Sequence, residues 1–160
     1  MRILLLTLLY LGSQFIAKAQ ELKVINKSDL LALLNSKSDT TYVINFWATW
    51  CKPCVEELPV FEKINFDYKG KKVKVVLISN DFKKQVTPKL KPFLLEKNIQ
   101  SEVWWMSETD PNVWVNMVDP NWEGSLPATL IFKGNEQKRF FHEGDLTENT
   151  LKAIINKIAL

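Results

Sequence analysis

Two cysteines, the only ones among 160 residues, stand three positions apart in Trp50-Cys51-Lys52-Pro53-Cys54. They follow directly on residues 41–47 (TYVINFW), whose β-branched and aromatic composition is that of a buried strand. Residues 51–67 then read as a helix, with Val55, Leu58, Phe61 and Ile64 (or Val60) along one side. A buried strand that runs straight into a helix requires a sheet with that helix packed over it. Residues 72–79 (KVKVVLIS) support the same layout, alternating at first and then becoming wholly apolar, as a central parallel strand does.

The rest of the chain continues this alternation. Residues 20–25 fit a short first strand, and Ser28 is the expected N-cap of a helix over 29–35 with leucines 30, 31, 33 and 34 as its apolar face. Residues 82–98 are helical in pattern, with Val86, Leu90, Phe93 and Leu94 on one face, but Pro88 and Pro92 predict a kink or restart. A short apolar segment, 103–106, precedes a helix expected over 111–118 with Asp110 as N-cap and Pro at its first position. A loop over 119–126 leads to a strand at 128–133, a turn at Gly134-Asn135 and a returning strand at 137–142. Thr147 caps a last helix, with Leu146 and Leu151 as a hydrophobic staple and Leu151, Ile154, Ile155 and Ile158 facing inward. The order β-α-β-α-β-α-(insert)-β-β-α predicts the α/β class, with a mixed sheet covered by helices on both faces.

The N-terminus has a different character. Arg2, the mostly apolar residues 3–16 and Ala17-Lys18-Ala19 form the pattern of a secretory signal, with cleavage expected after Ala19. The expected organisation is therefore a signal peptide over 1–19 and one domain over 20–160, exported to the periplasm or an equivalent compartment. Membrane attachment is expected only if this segment stays uncleaved, since no other stretch is long and apolar enough to span a bilayer. The formal charge of +3 includes Arg2 and Lys18, so the remainder is close to neutral. Such a balance gives no electrostatic reason to expect nucleic acid or an anionic membrane as partner.

Three chemistries compete for the cysteine pair. As a structural staple it would contribute only about 2 kcal/mol by the chain-entropy formula, against about 4.7 for a 100-residue loop. A structural zinc site needs four ligands, and beyond the thiols the chain has a single, distant histidine, His142. Redox exchange needs only what is present. At the start of a helix Cys51 would meet unpaired N–H groups and the positive end of the helix dipole, which favour thiolate. Lys52 adds a cationic contribution if its ammonium stays close. Cys54, one turn inward, is expected to be more buried and to stay protonated, so that Cys51 attacks a disulfide and Cys54 resolves the mixed disulfide.

Asn45-Phe46-Trp47-Ala48-Thr49-Trp50-Cys51-Lys52-Pro53-Cys54 resembles the active-site segment of the thioredoxin superfamily. With Glu57 and Pro59 following and a leader ahead, the chain is most similar to the exported TlpA/ResA-like branch of thiol–disulfide oxidoreductases. The resemblance implies a thioredoxin fold with an insert before the cis-proline strand, Cys51 as nucleophile and Cys54 as resolving thiol. It also implies that Pro127, in Leu126-Pro127-Ala128-Thr129, is cis and packs beside the dithiol, with the Leu126 backbone offered to a substrate strand. Pro53 and Lys52 tune the potential, and Trp50 edges the site. Thioredoxins proper carry an aspartate where this chain has Asn45, which cannot shuttle a proton at neutral pH. Glu57 matches a glutamate of the exported branch and is the expected proton acceptor for Cys54; the alternative is a solvated helix glutamate like Glu56. Pro59 marks a kink.

The function expected from these residues is disulfide exchange with protein substrates, as a reductase in the cell envelope, with no metal and no organic cofactor. Recharging by a membrane thiol–disulfide electron donor follows from the resemblance alone. Both directions of electron flow stay open, because the potential depends on thiolate stabilisation. Two rivals remain: a copper-binding or copper-delivering module using both thiolates, and a thiol peroxidase, whose activating Thr and Arg are not recognisable here. Trp104, Trp105, Trp114 and Trp122 are expected as core or rim packing, with Trp122 alternatively part of an aromatic surface near the site. His142 is expected to be structural.

Overall fold

The computed structural model describes residues 22–159 except Gln137. The leader assignment, its cleavage after Ala19 and the start of the first expected strand lie outside the described residues.

Six strands form one sheet: β1 (Lys23–Ile25), β2 (Thr41–Trp47), β3 (Val73–Ser79), β4 (Glu102–Met106), β5 (Ala128–Lys133) and β6 (Arg139–Glu143), in the spatial order β1-β4-β3-β2-β5-β6. The first four strands run parallel to one another, and β5 and β6 are antiparallel to their neighbours. The sheet is therefore mixed, as expected. One element differs from expectation. The apolar segment at 103–106 is a full member of the sheet, between β1 and β3, rather than part of the insert. Only the partners, distant in sequence, reveal this.

Side chains alternate across β2 and so divide the core in two. Val43 and Trp47 pack with Leu58, Phe61 and Ile64 of α2 (Lys52–Asp67) and with Leu151 and Ile155 on the last helix (Glu148–Ala159). Ile44 and Phe46 point the other way, onto α1 (Lys27–Leu34) and the segment after β4. The latter comprises a 3-10 turn, Pro111–Val113, and a short helix, Val115–Val118, instead of one helix over 111–118. Asp110 does cap it, accepting from the Asn112 N–H at 3.0 Å. The four tryptophans sort between the faces, Trp105 with the α2 side and Trp104, Trp114 and Trp122 with the other.

Several boundaries move for identifiable reasons. The N-cap of α1 is Asn26, not Ser28: its side chain accepts from Ser28 and Asp29 while the Asp29 carboxylate accepts from the Asn26 N–H, a complete capping box. Leu30 and Leu33 are buried in that helix, but Leu31 is exposed. The interrupted helix after β3 runs as Lys83–Gln85, a π-helical turn Val86–Leu90, and Lys91–Glu96. Pro88 sits in the π turn and Pro92 in the next segment, where a missing N–H and the bulk of the ring favour a widened ladder. The returning strand is shifted to Arg139–Glu143. In the last helix Thr147 caps as expected, accepting from the Thr150 N–H at 3.3 Å.

Candidate active site: the dithiol and its buried support

Cys51 and Cys54 are joined in a disulfide at the N-terminus of α2. The helix proper begins at Lys52, so Cys51 is its N-cap rather than a first-turn residue. Its Sγ accepts from the Cys54 N–H at 3.3 Å. The sulfur thus occupies the place of a capping oxygen, among N–H groups that have no partner within the helix. Pro53 lies in the first turn, where its lack of an N–H costs nothing. Both cysteines are buried as residues, Cys51 at 7% exposure and Cys54 at 0%. The asymmetry has the expected sense, but Cys51 presents only an edge.

The loop that carries Cys51 is clamped from below. Asp81, just after β3, is 2% exposed. It accepts from the Thr49 N–H and hydroxyl and from the Ser79 hydroxyl. The Trp105 indole N–H donates to the Asp81 carbonyl at 2.7 Å. Asp81, Ser79 and Thr49 are supporting residues that sequence reasoning passes over. A polar residue at the end of an apolar strand reads as ordinary loop, although the C-terminal ends of parallel strands are where α/β sheets build their sites.

Glu57 is not a solvated helix glutamate. It is buried at 5% exposure, one turn beyond Cys54 on the inward side of α2, while its neighbour Glu56 is exposed. Oε1 accepts from the Asn45 side-chain amide at 2.8 Å and Oε2 from the Leu146 N–H at 3.2 Å. Burial raises its pKa to about 7, against the opposing effect of these two hydrogen bonds. Asn45 also donates to the Thr129 hydroxyl at 3.3 Å, and its Oδ1 is buried without a partner. Half a turn of the amide exchanges Nδ2 for Oδ1. Asn45 can therefore donate to a Glu57 carboxylate or accept from the protonated acid, with the Thr129 hydroxyl adjusting in step. The sequence offers no local signal for this pairing, since Asn45 and Glu57 lie on different elements.

The Leu126–Pro127 peptide is cis, Pro127 is buried, and Leu126 packs against the apolar cluster that contains Cys51 and Cys54. The Pro127 carbonyl accepts from the Gly144 N–H at 2.8 Å, an approach that relies on the φ of +112° at Gly144. Glu143 on β6 holds the preceding loop by accepting from the Ser125 N–H at 2.9 Å. The Leu126 N–H and C=O have no partner among the described residues. Trp50 is half exposed and stacks on Phe82, with ring centroids 6.0 Å apart. Trp122 is buried against Phe46, Trp114 and Phe141 and donates to the Ser125 carbonyl, so it packs as core while an edge of it lines the opening next to Trp50. Lys52 is solvated and pairs with Glu56 at 3.7 Å, a screened surface contact that adds little field at Cys51. His142 stacks on Phe140 in the hairpin.

Comparison with known proteins bears on the family and the fold. The chain is similar to the thiol-disulfide oxidoreductase ResA of Oceanobacillus iheyensis, 32% identical over 117 residues. That stretch is 73% of this chain and 56% of the relative, so the chain matches little more than half of that protein's length. Among solved structures it resembles a thioredoxin-related protein from Neisseria meningitidis serogroup B, with TM-score 0.63, 24% identity, and coverage of 73% of this chain and 83% of that one. It also resembles a thiol:disulfide interchange protein of the thioredoxin family from Chlorobium tepidum, with TM-score 0.62, 20% identity, and coverage of 81% and 84%. The fold is the thioredoxin fold. Residues 13–137 match the AhpC/TSA family, and the chain belongs to it.

Proposed function

We propose that the protein is a thiol–disulfide oxidoreductase that exchanges disulfides with protein substrates in the cell envelope, as a reductase. The observation that carries this reading is the Cys51–Cys54 disulfide at the start of α2, with one sulfur capping the helix and the other fully enclosed. The ResA relative's name supports the reaction class.

In the reduced protein the Cys51 thiolate attacks one sulfur of a client disulfide. A Cys51–client bond forms, the client S–S bond breaks, and the departing client sulfur leaves as a thiolate. Cys54 then loses its proton and attacks Cys51, closing the internal disulfide and releasing the second client thiolate. Two electrons pass from the protein to the client. Glu57, one turn from Cys54 and with a pKa raised to about 7, is suited to take the Cys54 proton at neutral pH. The N–H and C=O of Leu126, without partners among the described residues, offer an extended client segment a pair of main-chain hydrogen bonds next to cis Pro127, and Trp50 borders the same opening. Pro53 tunes the potential, with Lys52 contributing little because its ammonium is solvated and paired with Glu56, and a membrane thiol–disulfide donor would restore the dithiol. The reading includes export through the segment over 1–19. Among the described residues no helix is long and apolar enough to cross a membrane.

Insulin reduction tests the assignment. The reduced protein is expected to accelerate precipitation of the insulin B chain, Cys51→Ser to abolish this, and Cys54→Ser to accumulate a mixed disulfide through Cys51. Loss of activity in neither variant overturns the proposal. Cu(I) titration and peroxide consumption, run alongside, report on the copper and peroxidase alternatives.

A further inference from the structure

A cleft of about 390 Å³ opens between Trp50, the residue before Cys51, and the segment that follows β4. Trp50, Phe82, Trp114, Trp122 and Leu126 line it, with two carboxylates that form no ion pair among the described residues: Asp81, buried and occupied by Thr49 and Ser79, and Glu108, which is left to face the cleft. Trp50 and Leu126 immediately precede Cys51 and Pro127, so the cleft is continuous with the position a client cysteine takes during exchange. Its size suits one bulky side chain. Trp50 and Phe82 are about half exposed, 50% and 57%, which leaves a stacked aromatic pair open to a partner.

The segment after β4 makes its side of this cleft acidic, while Lys83 and Lys84 follow Phe82 on the other side. Residues 98–132 contain Glu102, Glu108, Asp110, Asp119 and Glu123 and no Lys, Arg or His, although the chain carries 21 basic residues. Glu102 is neutralised by Lys74 at 2.7 Å. The other four take part in no ion pair among the described residues. Asp110 and Asp119 accept only from nearby backbone or amide N–H groups. A segment so rich in unpaired carboxylates, in a chain of positive formal charge, creates a local negative potential beside an aromatic slot.

Resting on the disulfide-exchange reading, we infer that this cleft is a client-recognition site, which takes a large apolar or aromatic side chain near the client cysteine while the acidic rim selects adjacent Lys or Arg. The side chain displaces water from Trp50, Phe82 and Trp114. The basic neighbour answers Glu108 and the acids beyond it, and its cationic head can also lie over an aromatic face. Specificity then lies in a segment of the chain that does no chemistry.

The test uses the reduced full-length protein and synthetic peptides of one length. Each carries a single cysteine, blocked as a mixed disulfide with 2-mercaptoethanol and flanked on both sides by Phe-Arg, Phe-Glu, Ala-Arg or Ala-Glu. Stopped-flow fluorescence reads the second-order exchange rate, with hydroxyethyl disulfide as a neutral reference. The Phe-Arg peptide is expected to react about tenfold or more faster than the Ala-Arg peptide, the scale on which an apolar pocket discriminates. The Arg-over-Glu preference is expected to shrink as salt rises and to reverse in Glu108→Lys, read as a ratio within each protein. Turnover of hydroxyethyl disulfide with equal rates for all peptides, or with faster reaction of the Glu peptides, overturns the inference and leaves the exchange reading standing. An apolar preference whose charge ratio ignores Glu108→Lys overturns the role of the acidic rim. Failure to react even with hydroxyethyl disulfide sinks the exchange reading itself.

Discussion

Glu57 is the residue whose ionisation couples most directly to the fold. Buried beside Asn45 and the Leu146 N–H, it titrates at about 7 instead of its ordinary 4.5. Between those values the folded protein holds a proton that the unfolded chain has released. Stability therefore declines as pH rises through that window, and the whole penalty is present above about 7. The shift corresponds to about 3 kcal/mol. Glu57→Gln removes the ionisation while keeping size and hydrogen-bonding capacity. Urea denaturation of the oxidised protein should show wild type and variant nearly matched at acid pH, with the variant gaining stability over wild type above neutrality by about 2–3 kcal/mol. A constant difference at every pH would mean that the carboxyl titrates normally. In the proposed reaction the same substitution should slow mixed-disulfide resolution near neutral pH and remove the inflection close to 7 from its pH profile, leaving the first attack by Cys51 much less affected.

At the scale of elements, the dithiol is held by the C-terminal ends of β2 and β3 as much as by α2. Asp81 joins them through Thr49 and Ser79. Asp81→Ala leaves buried donors without an acceptor and is expected to cost about 2–4 kcal/mol; Asp81→Asn, which keeps one carbonyl oxygen, about half as much. Hydrogen exchange at Thr49 and Trp50 should speed up in the same order, and unchanged exchange there would show that Asp81 does not hold the loop. This support is also where sequence and structure part. Strands β2 and β5 are legible to the residue, because a continuous β-branched and aromatic run permits little else. The start of α1 is harder, since Asn26 and Ser28 are both good caps. What decides is the acid three residues on, present as Asp29 after Asn26, where Ser28 is followed by Leu31. The cysteines and Pro127 carry their own local signature. The Asn45–Glu57–Thr129 cluster, the Asp81 clamp and the place of β4 do not, because each is a contact between residues far apart in the chain.

At the scale of the whole molecule, one sheet separates two apolar clusters that share no buried residue. Strand β2 alternates between them, so neither face can lose its packing without exposing the strand that supports the other. The two faces should accordingly unfold in a single transition while responding independently to small changes in packing. Ile64, on α2, and Ile25, on β1, are both essentially unexposed and belong to different clusters. Ile64→Val and Ile25→Val are each expected to cost about 1 kcal/mol. The double variant should cost their sum within about 0.5 kcal/mol, with an unchanged denaturant dependence and coincident fluorescence and far-UV circular dichroism transitions. A split transition would mean that the segment between β4 and β5, with Trp114 and Trp122, melts apart from the sheet. The recognition cleft would then lose its far wall under conditions that leave the dithiol folded, and client preference would fade on heating before exchange with a small disulfide does. A single transition instead ties the cleft to the catalytic face, so that both are lost together.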